Sequence, residues 1–122
     1  EAPTNLGLRP TGVERLSAAL LATGLAERLG AEVVARVDAP AYDPARDPAT
    51  AMLNPGGIAA YSPWLADAIA GVLRDGAFPV VLGGDCSILI GAALALRRRG
   101  RYGVFFIDGH TDFWEPERSE TG

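Results

Sequence analysis

The sequence predicts an α/β fold built on a mostly parallel sheet. Helical and strand patterns alternate as helix, strand, helix, strand, helix, strand along the 122 residues, an order that implies right-handed crossovers between parallel strands. The strand patterns at 78–82 and 102–107 are apolar at successive positions, as in strands covered on both faces. Each ends in a polar, glycine-bearing cluster, at 83–87 and 108–112. Ligands in open parallel sheets bind beyond the carboxyl ends of the strands, so both clusters stand where a site belongs.

The elements follow in order. Thr11, Gly12, Val13 and Glu14 read as a capping box in which the Thr hydroxyl serves the third helical N–H and the Glu reaches back. Val13, Leu16 and Leu20 continue it as an apolar stripe, and Gly24 suits the left-handed residue past a helix end. This predicts a helix over about 12–23. Val33, Val34 and Val37 suggest a short strand. Residues 39–57 hold Pro40, Pro44, Pro48, Pro55, Gly56 and Gly57, a density that predicts a long surface loop. Ser62 and Pro63 read as a helix start, a hydroxyl cap and then a proline whose missing N–H costs nothing. Trp64, Leu65, Ala68, Ile69, Val72 and Leu73 form its broad apolar face, with Trp64 in the core, and Asp75 and Gly76 end it. A third helix is predicted over about 87–99. Arg97, Arg98 and Arg99 sit at its negative dipole end, and Gly100 stops it.

Composition bounds the function. The chain is 48% apolar, with 15 acidic groups against 11 basic ones, all Arg, for a net charge of −4. No positive footprint exists to displace counterions from nucleic acid, and low-complexity disorder is excluded at this apolar content. The longest apolar run, 88–96, is far short of the roughly 20 residues a membrane-spanning helix needs. A single Cys forms no internal disulfide and suits a reducing, cytoplasmic setting. The only Met is Met52 and the chain opens at Glu1, so a missing or processed start is expected.

Asp108, His110 and Asp112 alternate with Gly109 and Thr111, so an extended chain points all three one way. Straight extension places the two carboxylates roughly 13 Å apart at about 3.3 Å per residue, too far to share one ion whose ligands lie within roughly 2.0–2.6 Å. Either the chain curls, eased by Gly109, or the three residues serve two adjacent ions. Two carboxylates and an imidazole suit a divalent ion such as Mn²⁺, and an ion pair can turn a bridging water into hydroxide. The plainer alternative is that Asp112 caps a turn and His110 is an ordinary loop histidine. In the other cluster, Gly83 and Gly84 permit close backbone approach, and the new helix N-terminus favours an anion. Cys86 there is a ligand or nucleophile with a lowered pKa, or a small buried filler.

Val80, Val81, Leu82, Gly83, Gly84, Asp85, Cys86 and Ser87, then Phe106, Ile107, Asp108, Gly109, His110, Thr111 and Asp112, resemble the paired signatures of the arginase, agmatinase and formimidoylglutamase (ureohydrolase) family. There the first motif reads Gly-Gly-Asp-His-Ser and the second Asp-Ala-His-x-Asp. More loosely, the stretch from Asn5 to Glu14 resembles the family's early glycine-rich segment. The resemblance implies a three-layer α/β/α fold, of which 1–122 is the N-terminal part of a single domain. It implies a two-manganese hydrolase of guanidino or amidino compounds that forms a homo-oligomer, with neither nucleic acid nor membrane as partner. Asp108 would bridge both ions, His110 would bind one, and Asp112 and Cys86 the other, with Asp85 supporting the ligands.

Three departures qualify the transfer. Cys86 replaces the family's histidine, and thiolate prefers Zn²⁺ to Mn²⁺, so that ion is weak, different or absent. Trp114 stands where arginases carry an Asn that recognises the amino acid end of the substrate; it is assigned to a pocket wall, and arginine is disfavoured as substrate. The family's later Ser-x-Asp-x-Asp motif and its acidic guanidinium-binding residue lie beyond Gly122, and its first strand before Glu1. Asp108, His110, Asp112 and Cys86 alone leave two ions under-coordinated, so the 122-residue chain is expected to show little or no hydrolase activity. Two alternatives stand beside the hydrolase: a non-catalytic relative with a degraded site, and an enzyme with Cys86 as nucleophile and His110 as base. Against the last, a nucleophile elbow wants glycine two positions either side; Gly84 fits and Ile88 does not.

Overall fold

A computed structural model describes residues 1–109, 115–119 and 121. The regular elements are Leu16–Ala22 (α1), Leu25–Leu29 (α2), Pro55–Arg74 (α3) and Ile88–Arg97 (α4), with single 3-10 turns at Val13–Arg15 and Pro116–Arg118.

The expected sheet is the main correction. Among the described residues no stretch forms a strand; the pairing is confined to an isolated parallel bridge, Ala2 with Gly83, and an antiparallel one, Arg46 with Leu53. The stretches at 33–37, 78–82 and 102–107 therefore do not form the strands expected of them. Parallel strands depend on neighbours at both edges and layers on both faces. Here that cover is lacking: Phe78 is 88% exposed, Phe105 91% and Ile107 84%.

What exists in place of a sheet is a short parallel seam made by the N-terminus, a segment to which the sequence pattern assigned no strand. The Glu1 amino group donates to the Ala35 carbonyl at 2.8 Å, and the Val37 amide donates back to Glu1 at 2.9 Å. On the other side the Ala2 amide donates to Leu82 (2.8 Å), Gly84 to Ala2 (3.2 Å) and Asp85 to Thr4 (3.0 Å). Residues 1–4 thus lie between 35–37 and 82–85. Ala2, Thr4 and Leu6 are fully buried.

The first helix also departs from expectation. Gly12 adopts φ 105°, no side chain caps the turn that follows, and residues 13–15 wind as 3-10 before α1 begins. A left-handed residue at this point takes Thr11 out of the N-cap position, so the capping box does not form. Gly24 is left-handed as expected (φ 77°), and its amide donates to Leu21 at 2.9 Å.

Helix α3 starts at Pro55, about two turns before the expected start at Ser62, and runs through Pro63. Burial outweighs composition here. The added turns carry Ile58 (8% exposed) and Tyr61 (1%) into the core beside Leu65, Ala66 and Ile69. Ser62 does not cap; its hydroxyl donates to the Ile58 carbonyl inside the helix at 2.8 Å. Asn54 precedes α3 in the left-handed conformation (φ 46°), which Asn tolerates better than most side chains. Its amide side chain donates to Leu6 at 3.0 Å and accepts from Asp43 at 2.7 Å, joining the N-terminal segment, the loop and α3. Trp64, expected in the core, is 51% exposed.

Helix α4 matches its expected span closely. It packs on α3 through Gly91, where a Cβ would lie 2.9 Å from Leu65 Cβ and 3.0 Å from the Ser62 carbonyl. Arg98 pairs with Asp67 at 2.6 Å across the two helices, an exposed bridge that contributes little.

Tyr61 donates its hydroxyl to the Val37 carbonyl at 2.8 Å, and so ties α3 to the seam. Burial, with smaller contributions from Asp38 and Asp85, pushes its phenol up from 10.0 to about 12. A folded-state pKa above the unfolded one means that the stability it confers is complete below pH 10 and is lost as pH rises from 10.0 towards about 12. Tyr61→Phe is expected to cost about 1 kcal/mol at neutral pH for the lost hydrogen bond. In return, its urea midpoint should fall less steeply across that alkaline window; parallel curves for the two proteins would refute the assignment.

Candidate functional site

The junction at 83–87 is built around one buried carboxylate. Asp85 is 3% exposed. Its Oδ2 accepts the Gly7 amide at 2.7 Å, and its Oδ1 accepts the Ser87 amide at 2.9 Å together with the Ser87 hydroxyl. Asp85 stands just ahead of α4, whose N-cap is Ser87, and satisfies the Ser87 amide, a donor that the helix itself leaves open. Through the two Ser87 bonds, Asp85 fixes the residue next to Cys86. Sequence reasoning missed its distant partner, because the Gly7 contribution is a backbone amide with no side-chain signal.

Gly84 serves close approach, but to the protein's own chain. A Cβ there would lie 1.8 Å from the Thr4 carbonyl oxygen. Cys86 is exposed and in no disulfide, which corrects the buried-filler alternative. Leu16, Cys86, Leu89 and Phe106, with residues 83–85 and Ile88, line a cavity of about 270 Å³. Phe106 lies two residues before Asp108, so the cavity brings the first motif and the approach to the second motif together. Asp108 is exposed. His110, Asp112 and Trp114 lie outside the described residues. Among the described residues, no group of three or more His, Cys, Asp or Glu side chains is placed to hold a metal, and no helix is long and apolar enough to cross a membrane.

An arginase family model matches residues 62–122, the half of the chain that contains both motifs. The chain is 33% identical over 126 residues to Arginase-1 of Homo sapiens, covering 99% of this chain and 39% of that protein. It is 33% identical over 135 residues to an arginase of Emericella nidulans, covering 97% and 41%. A Bacillus caldovelox arginase is 42% identical over 59 residues, covering 48% and 20%. No solved structure matches. The chain belongs to the arginase family. It spans about two fifths of the length of the human and Emericella relatives.

Proposed function

We propose that the protein is a metal-dependent hydrolase of linear C–N bonds in a small guanidino or amidino compound, with Asp108, His110, Asp112 and Cys86 as metal ligands. The observation that supports this best is the shared cavity, since it joins the 83–87 junction to Phe106 at the entrance to the second motif. Divalent ions such as Mn²⁺, when bound, make water a nucleophile near neutral pH. The chain's own part is positional. Asp85 holds the turn that carries Cys86, and Cys86 is exposed beside the cavity. Trp114 is proposed to wall the substrate pocket.

Cys86 also favours a second reading, a family member whose metal site is degraded. Equilibrium metal binding separates the two. For a functioning site, the unaltered chain is expected to prefer Zn²⁺ to Mn²⁺ by a wider margin than its Cys86→His variant does, since thiolate is the softer ligand, and Cys86→His should raise Mn²⁺ affinity by about tenfold or more. Binding of neither ion by either protein, tested in a form that also carries the family's later carboxylate motif, would leave the degraded site as the correct reading. Chelation tests the nucleophile alternative: a thiol mechanism keeps its turnover after chelator treatment, whereas a metal-dependent enzyme loses it and regains it when the divalent ion is restored.

A further inference from the structure

We propose that the cavity beside the 83–87 junction binds an amphiphilic monocation: a planar guanidinium or amidinium head next to Asp85, with an uncharged alkyl or aryl group against apolar walls. It rests on the hydrolase reading above for the choice of head group alone. Charge at the head follows from Asp85. Its carboxylate borders the cavity yet is 3% exposed. Its three donors, the Gly7 amide, the Ser87 amide and the Ser87 hydroxyl, are all neutral, a set that suits an ionised carboxylate, which only accepts. Among the described residues no cation forms an ion pair with it. Buried charges are ordinarily paired, because neutral hydrogen bonds offset only part of the lost hydration. A cation in the cavity supplies that pairing without displacing any of the three bonds, since Coulomb attraction reaches further where water is scarce.

The tail follows from the rest of the lining. Leu16 comes from α1, Ile88 and Leu89 from the first turn of α4, and Phe106 from the approach to the second motif. None of these side chains carries a polar atom, and Cys86 adds only a weak donor and acceptor. Leu16, Leu89 and Phe106 are each about half-exposed, so an alkyl or aryl group seated on them removes apolar surface from water on both sides of the contact. Apart from Asp85 no lining side chain is charged. A carboxylate on the ligand therefore finds no cationic partner there and meets Asp85 as a like charge, which disfavours the amino acid end of arginine. At about 270 Å³, just below the roughly 300–1,000 Å³ of sites for drug-sized ligands, the cavity suits a head group with a short tail.

The test titrates the full chain, with no divalent ion added, with methyl-, propyl- and butylguanidinium, with neutral butylurea and with arginine. Binding is read by calorimetry and by protection of Cys86, which borders the same cavity, from iodoacetamide. Affinity is expected to rise about threefold per methylene. Butylurea and arginine should bind about tenfold more weakly than butylguanidinium, and bound butylguanidinium should slow alkylation of Cys86 in proportion to occupancy. Leu89→Ser and Leu16→Ser, both retaining helical circular dichroism, should each weaken butylguanidinium binding about fivefold. Equal affinity for butylguanidinium and butylurea, equal affinity for the methyl and butyl compounds, arginine binding as tightly as butylguanidinium, binding without protection of Cys86, or unaltered affinity in both variants each overturns the proposal. If the expected pattern appears while the metal titrations above find neither ion bound, the cavity assignment stands and the metal reading alone falls. If a metal binds and butylguanidinium does not, the proposal alone falls.

Discussion

Gly84→Ala is expected to destabilise the chain by roughly 3–5 kcal/mol, the range in which single substitutions point to a specific mechanism. The added Cβ would lie 1.8 Å from the Thr4 carbonyl oxygen and 2.8 Å from Thr4 C and N. All three are backbone atoms, so no side-chain rotation relieves the clash. Either residues 1–4 or the junction must move, and the seam bonds from Ala2, Gly84 and Asp85 are lost together. Fully buried Ala2, Thr4 and Leu6 then lose their packing. Urea denaturation checks this, with Gly103→Ala as control; nothing lies within 4 Å of a Cβ at Gly103, so a change of about 0.5 kcal/mol or less is expected there. Equal midpoints for the two variants would refute the contact.

Asp85→Ala is expected to cost about 3–4 kcal/mol, because the Gly7 amide, the Ser87 amide and the Ser87 hydroxyl lose one common acceptor. Hydrogen bonds to a charged group are the stronger kind, and a buried donor left without a partner carries its full desolvation cost. Asp85→Asn keeps one carbonyl acceptor but turns an NH₂ towards a donor, so about half the loss is expected. A double change, Asp85→Ala with Ser87→Ala, checks that the loss belongs to the network: the combined effect should fall short of the sum of the single effects, as expected for residues sharing a hydrogen bond. Strict additivity would separate the two residues.

The same junction shows how far local pattern reaches. Gly83, Gly84, Asp85, Cys86 and Ser87 marked a turn into a helix, and α4 begins at Ile88. Gly24 marked a helix end and is left-handed there. Such features depend on residues within one or two turns. Thr11 and Ser62 show the opposite case, since both carried local capping signals that were overruled, one by the left-handed backbone of Gly12 and the other by burial of Ile58 and Tyr61.

Sequence alone determined the family, the two motifs and the helix α4, because a glycine–aspartate turn and an apolar helical stripe act through near neighbours. Only the tertiary structure decided that residues 1–4 form the seam and pair with Leu82, that Asp85 is anchored by Gly7, and that Phe78 and residues 102–107 stand exposed. Parallel pairing and burial depend on what lies across space from a residue, and no local pattern supplies that partner.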